Sequence, residues 1–105
     1  ETGAQLSNSA LINGASQSIA GGSVNVTTLT AVQLNGTRLD EATFKATKNG
    51  GDDMAPTSQS AQSIAWTFAQ PGVAGDTYRF YKDNAVVLTI RVIEEGGGGD
   101  EPGAN

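Results

Sequence analysis

The chain has 105 residues, of which 37% are hydrophobic and 16% charged, with a formal net charge of −5 and neither histidine nor cysteine. That length fits a single core of ordinary size. The missing residue types remove disulfides, thiolate chemistry, the usual general base and the commonest metal ligand together.

Six Lys and Arg stand singly along the sequence, which offers no run of cations to neutralise a phosphate backbone and argues against nucleic acid. No apolar run approaches the roughly 18 residues of a spanning helix, and no basic amphipathic face suggests membrane binding. Glu1 in first place is compatible with a removed leader, a trimmed chain or an omitted start.

Glu1 to Gly22 is rich in Ser, Asn, Gln and Ala, with Leu6, Leu11, Ile12 and Ile19 as its larger apolar residues. It reads as a polar arm, 1–22, with one or two short strands at most, suited to gripping a neighbouring subunit. Ser23 to Leu34 alternates, with Val24, Val26, Thr28, Thr30, Val32 and Leu34 on one side, and predicts a long strand interrupted near Thr28. Asn35-Gly36 then supplies the pair of residues favoured in a tight hairpin turn, so Thr37 to Leu39 should fold back.

Ala42 to Lys48 alternates around Phe44 and Ala46 and predicts a half-buried strand, with a helix as its competitor. NGGDDMAPTSQS, Asn49 to Ser60, has little to bury except Met54 and reads as a long exposed loop. Gln62 to Ala69 places Ile64, Trp66 and Phe68 on one face, with Trp66 as the centre of the expected core. Pro71-Gly72 and Gly75-Asp76 bracket a loop, and Asp83-Asn84 joins Thr77 to Lys82 and Ala85 to Ile93 as a hairpin. Phe80, Leu88 and Ile90 join the core list, as do Val86 and Val92 by alternation. Val87, on the opposite face, is a contact candidate. The acidic, glycine-rich segment 94–105 reads as a flexible tail, leaving 23–93 as the core domain.

Chemistry is sparse. Acids occur as the neighbouring pairs Asp40-Glu41, Asp52-Asp53 and Glu94-Glu95, which on a strand point apart and do not make a facing catalytic pair. No enzyme activity and no cofactor is expected. Asp52 and Asp53 are weak candidates for calcium, because the spaced acidic loop pattern is missing. Asn25-Val26-Thr27 and Asn35-Gly36-Thr37 match the glycosylation tripeptide, which matters only on an exported chain. Tyr81 has opposite parity to Tyr78 and Phe80, and is the one aromatic expected to face outward as a contact.

The stretch from Ser63 to Glu95 carries a W-x-F strand, a G-D-x-Y-x-F approach and a closing V-x-L-x-I-x-V strand. In these features it resembles the C-terminal part of immunoglobulin-like or PKD-like sandwich modules. The resemblance implies a small all-β antiparallel sandwich of about seven strands, immunoglobulin-like or jelly-roll-like, of the kind found on phage virion surfaces and in extracellular fibres. Three functions are consistent with it: a capsid decoration-type subunit docked on a larger lattice or on copies of itself; a secreted filament or adhesion subunit that donates Gln5 to Ala20 as a strand; and a carbohydrate-binding module. The expected location is a virion surface or the extracellular space.

Overall fold

A computed structural model describes residues 3–95, which form nine strands and one 3-10 turn. The strands are β1 (Gln5–Ile12), β2 (Ala15–Ser18), β3 (Ser23–Val26), β4 (Leu29–Thr37), β5 (Phe44–Lys48), β6 (Ser58–Gln59), β7 (Ser63–Gly72), β8 (Thr77–Lys82) and β9 (Ala85–Val92), and the 3-10 turn spans Leu39–Glu41. Pairing builds a five-stranded sheet of order β2-β1-β4-β7-β6 and a four-stranded sheet of order β3-β9-β8-β5. The two sheets pack face to face as a small all-β sandwich.

Alternation decides what each sheet buries. Ala10 and Ile12 of β1, Val32 and Leu34 of β4 and Ile64 and Trp66 of β7 point inward from the first sheet. Tyr78 and Phe80 of β8 and Leu88, Ile90 and Val92 of β9 meet them from the second. Trp66 and Phe80 touch edge to face, with centroids 5.0 Å apart and ring planes at 72°, the arrangement that sets the positive ring edge against the negative ring face. Phe68, nearer the rim and only partly buried, lies 5.0 Å from the ring of Tyr78.

Several expectations are corrected. The segment 1–22 is not an arm over its described residues: β1 lies between β2 and β4, and Ala10, Ile12 and Ile19 belong to the core. Its apolar residues are few because most positions of β1 are exposed or half-buried and one of its two buried residues is Ala10. Nine strands stand where about seven were expected, and β3 pairs with β9 in parallel, so the sandwich is not wholly antiparallel.

Asn35-Gly36 is strand, not turn; β4 runs through it to Thr37. The hairpin turn lies instead at Asn13-Gly14, with φ of 54° and 83°, between the paired Ile12 and Ala15. The alternation from Val24 to Leu34 breaks after Val26, where the chain passes from one sheet to the other, and shifts again at a bulge between Leu29 and Ala31. That shift buries Leu29 and leaves Thr28 and Thr30 exposed. β7 continues through Pro71 to Gly72. In the second sheet, a bulge in β9 opposite Phe80 and Tyr81 turns Val86 outward, with 49% of its surface exposed. The Asp83-Asn84 hairpin forms as expected, both residues having positive φ. Of the segment 94–105, Glu94 and Glu95 are exposed and residues 96–105 lie outside the described residues.

Candidate interaction surfaces

Charge is sorted by sheet. None of the residues in β1, β2, β4, β6 and β7 is charged, so the water-facing side of the five-stranded sheet is neutral throughout. Register aligns Ser16, Leu11, Gln33, Ala65 and Ser58 in one row across all five strands. Ala31 and Thr67 form the next row, and Asn35 and Ser63 the row on the other side. Gln33 Nε2 donates to Asn35 Oδ1 at 2.8 Å, holding two amides flat along β4.

A shallow depression of about 170 Å³ opens on this face between Leu11, Gly14, Ala31, Gln33, Ala65 and Thr67. Asn13, next to the lining residue Gly14, ties this turn to the start of β4. The Asn13 Oδ1 accepts from the backbone N–H of Thr30 at 2.7 Å and from its hydroxyl at 3.1 Å, and Nδ2 donates to the Thr28 carbonyl at 2.8 Å.

The four-stranded sheet is different. Five of the six Lys and Arg residues, Lys45, Lys48, Arg79, Lys82 and Arg91, lie on β5, β8 and β9. Dispersed in sequence, they are gathered by strand pairing. Arg79 and Arg91 have the parity opposite to the buried residues of their strands, and Lys45 the parity opposite to Phe44 and Ala46, so the three share the outer face; Thr47, of the same parity as Lys45, is itself buried. Arg79 pairs with Thr89 and Arg91 with Thr77, which sets the two arginines on a diagonal of the β8–β9 ladder, a separation of about 7–8 Å. Thr47 and Ser23 extend the Arg79–Thr89 row to both edges.

No described acid lies in a strand; they occupy turns and loops. Asp53 pairs with Lys45 at 3.2 Å and Asp76 with Lys48 at 3.7 Å. Asp76 also accepts from the Val73 backbone N–H at 3.0 Å and from Asn49 Nδ2 at 2.9 Å. These bonds, the Val73 one foremost, hold its carboxyl below the usual aspartate range. Tyr78 is pushed the other way, first by burial and then by the charge of Asp76.

The residues singled out in the sequence are placed as follows. Leu6 and Leu11 are half-buried on β1, while Ile12 and Ile19 are core. Tyr81 does face outward, where the Lys45 ammonium lies 5.3 Å from its ring centroid; Val87 is half-buried beside it, past the β9 bulge. Trp66, Phe80, Leu88 and Ile90 are fully buried and Phe68 partly so. Asp52 and Asp53 are exposed, Asp53 is engaged by Lys45, and among the described residues no three acids converge as metal ligands would. Asn25 is exposed on β3, whereas Asn35 is held by Gln33 on the neutral face. A second cavity, about 270 Å³, lies at the sandwich rim between Lys48, Met54, Phe68, Gln70 and Tyr78.

Gln33, Ala65, Arg79 and Arg91 were not singled out in the sequence. The signal that finds them is parity within each strand combined with register, and only the first is present in sequence. Among the described residues no helix is long and apolar enough to cross a membrane. Compared with protein-family models, curated proteins and solved structures, the chain matches none.

Proposed function

We propose that this chain is a non-catalytic structural subunit, of the kind that decorates a virion surface, and that it seats on a larger protein lattice through the neutral face of its five-stranded sheet. The observation that carries this reading is the absence of charge from every strand of that sheet in a chain of net charge −5. A sheet face meant only for water tends to carry charged side chains. Charged groups are depleted in the cores of protein interfaces because each must be desolvated there. Ser, Ala and Thr also lose little side-chain freedom when covered. A broad neutral face of short side chains therefore costs little to bury against a partner.

Strand donation by Gln5 to Ala20 is a poorer fit. It would pull an interior strand, with Ala10 and Ile12, out of its own sheet. Carbohydrate binding through Tyr81 asks a sugar to displace Lys45 from the ring.

The test is saturable binding to empty protein shells from the same source. Ala65→Lys and Gln33→Lys each put a cation at the centre of the face, at half-buried positions where a long side chain can reach water. Both variants are expected to fold as the parent does and to bind at least about tenfold more weakly, the effect of about 1.4 kcal/mol. A parent chain that binds no such shell, or variants that bind as it does, would overturn the proposal.

A further inference from the structure

The outer face of the four-stranded sheet has no role in the reading above, and its electrostatics oppose those of the molecule. The chain carries −5 overall, yet the side chains that β5, β8 and β9 present to water include Lys45, Arg79 and Arg91 and no acid. Lys45 is neutralised by Asp53. Among the described residues, Arg79 and Arg91 have no carboxylate within salt-bridge distance, and Arg91 is held only by a bond to the Ser23 hydroxyl at 3.2 Å. Thr77 and Thr89 stand opposite the two arginines with short side chains, Thr47 beside Arg79 is buried, and Tyr81 bounds the pair on the side away from Arg91.

Complementary groups exist elsewhere on the same molecule. Asp40 and Glu41, on the 3-10 turn, are adjacent, exposed and without an ion pair among the described residues. Of the other described acids before Glu94, Asp53 and Asp76 are paired, Asp83 accepts from the Thr43 backbone N–H at 2.9 Å, and Asp52 is exposed but single, its neighbour Asp53 being engaged by Lys45. Strand register also separates the two patches. Asp40 and Glu41 precede Phe44, which pairs with Lys82 at one end of β8, while Arg91 pairs with Thr77 at the other. One copy cannot satisfy its own arginines with this turn. A second copy can.

We propose that Arg79 and Arg91 of one copy receive Asp40 and Glu41 of the next, a head-to-tail contact between copies of this chain. Such a contact is heterologous and leaves a free patch at each end, so it extends along a row of subunits instead of closing a pair. It rests on the assembly reading, but uses a different face and different residues. Planar guanidinium groups suit paired carboxylates better than ammonium groups do. The contact is exposed and modest in strength, appropriate to copies already concentrated on a surface.

The experiment measures the sign of the interaction between copies of the isolated chain by static light scattering, at low and at high salt. Net charge alone requires repulsion at low salt. The proposal requires attraction there, lost as added salt shortens the screening length from about 30 Å at 0.01 M to about 3 Å at 1 M. Asp40→Lys with Glu41→Lys brings the net charge toward zero and should weaken generic repulsion, yet it is expected to abolish the attraction. Arg79→Glu with Arg91→Glu should abolish it too, and an equimolar mixture of the two reversed proteins should restore it. Arg79→Gln with Arg91→Gln serves where reversal impairs folding. Repulsion between parent copies at low salt, or attraction that survives the Asp40 and Glu41 reversals, overturns the contact. Ala65→Lys is expected to leave it intact, so loss of shell binding and loss of this contact are read independently.

Discussion

The indole N–H of Trp66 donates to the carbonyl of Met54 at 3.0 Å. That bond ties a residue at the centre of the core to the middle of a segment with few apolar residues of its own. The backbone of Met54 completes the tie by exchanging both its hydrogen bonds with Ala46 of β5, at 2.7 and 3.0 Å. The run from Asn49 to Ser60 is thus pinned at its centre and closes the open side of the β5 edge. Trp66→Phe removes the donor and leaves a void beside Phe80. It is expected to cost about 2–4 kcal/mol in denaturant unfolding and to increase proteolytic cleavage near Met54 more than elsewhere. Uniform loss of protection would show that the loop does not depend on this bond.

Asn13 carries two separable duties, a positive φ and three side-chain hydrogen bonds to the β4 entry. Asn13→Gly keeps the first and loses the second. Asn13→Ala loses both. Denaturation midpoints should fall in that order, by about 1–2 kcal/mol for Gly and about 1 kcal/mol more for Ala.

Stability should respond to pH at both limits, with opposite signs. The carboxyl of Asp76 is depressed in the folded protein, so its contribution is complete above the unfolded aspartate value, about 3.9, and is lost as pH falls through the lower folded value. The phenol of Tyr78 is raised; its contribution is present below about pH 10 and is lost as pH rises through the folded value. Denaturant midpoints measured across pH should show an acid limb that flattens in Asp76→Asn and an alkaline limb that flattens in Tyr78→Phe.

Three small substitutions test packing. A Cβ at Gly72 would lie 2.8 Å from the Tyr78 hydroxyl and 2.9 Å from its ring, so Gly72→Ala is expected to cost about 1–3 kcal/mol. Gly21→Ala, with open space around it and no positive φ, should change stability little. Thr47→Val removes a buried hydroxyl that has no hydrogen-bond partner and should stabilise the fold by about 1 kcal/mol. Thermal melts of the three variants rank them.

How far the strands could be read from sequence depended on what sat opposite them. β7, β8 and β9 were legible because Ile64, Trp66, Phe80, Leu88 and Ile90 are large and alternate. β1 was not, because only two of its positions are fully buried and one of them is Ala10, a residue with too little side chain to mark a face. The two Asn-Gly pairs show the limit most plainly. Asn13-Gly14 turns and Asn35-Gly36 does not, although the local signal is the same. The difference is tertiary: a Cβ at Gly36 would collide with the Gln5 carbonyl, so glycine there serves the close approach of β1. The interaction surfaces were hidden for a related reason. Parity tells which side a residue faces, but only register brings Lys45, Arg79 and Arg91 from three separate strands onto one surface.

The parallel pairing of β3 with β9 joins Ser23–Val26 to Thr89–Val92, and β9 is at the same time the inner neighbour of β8. The second sheet consequently cannot close until nearly the whole described chain has left the ribosome. Until then the apolar faces of β3, β5 and β8 have no complete partner, and the nascent chain depends on slow, long-range closure or on chaperone cover. Ending the chain before β9 would remove the strand that links β3 to the rest of the sheet.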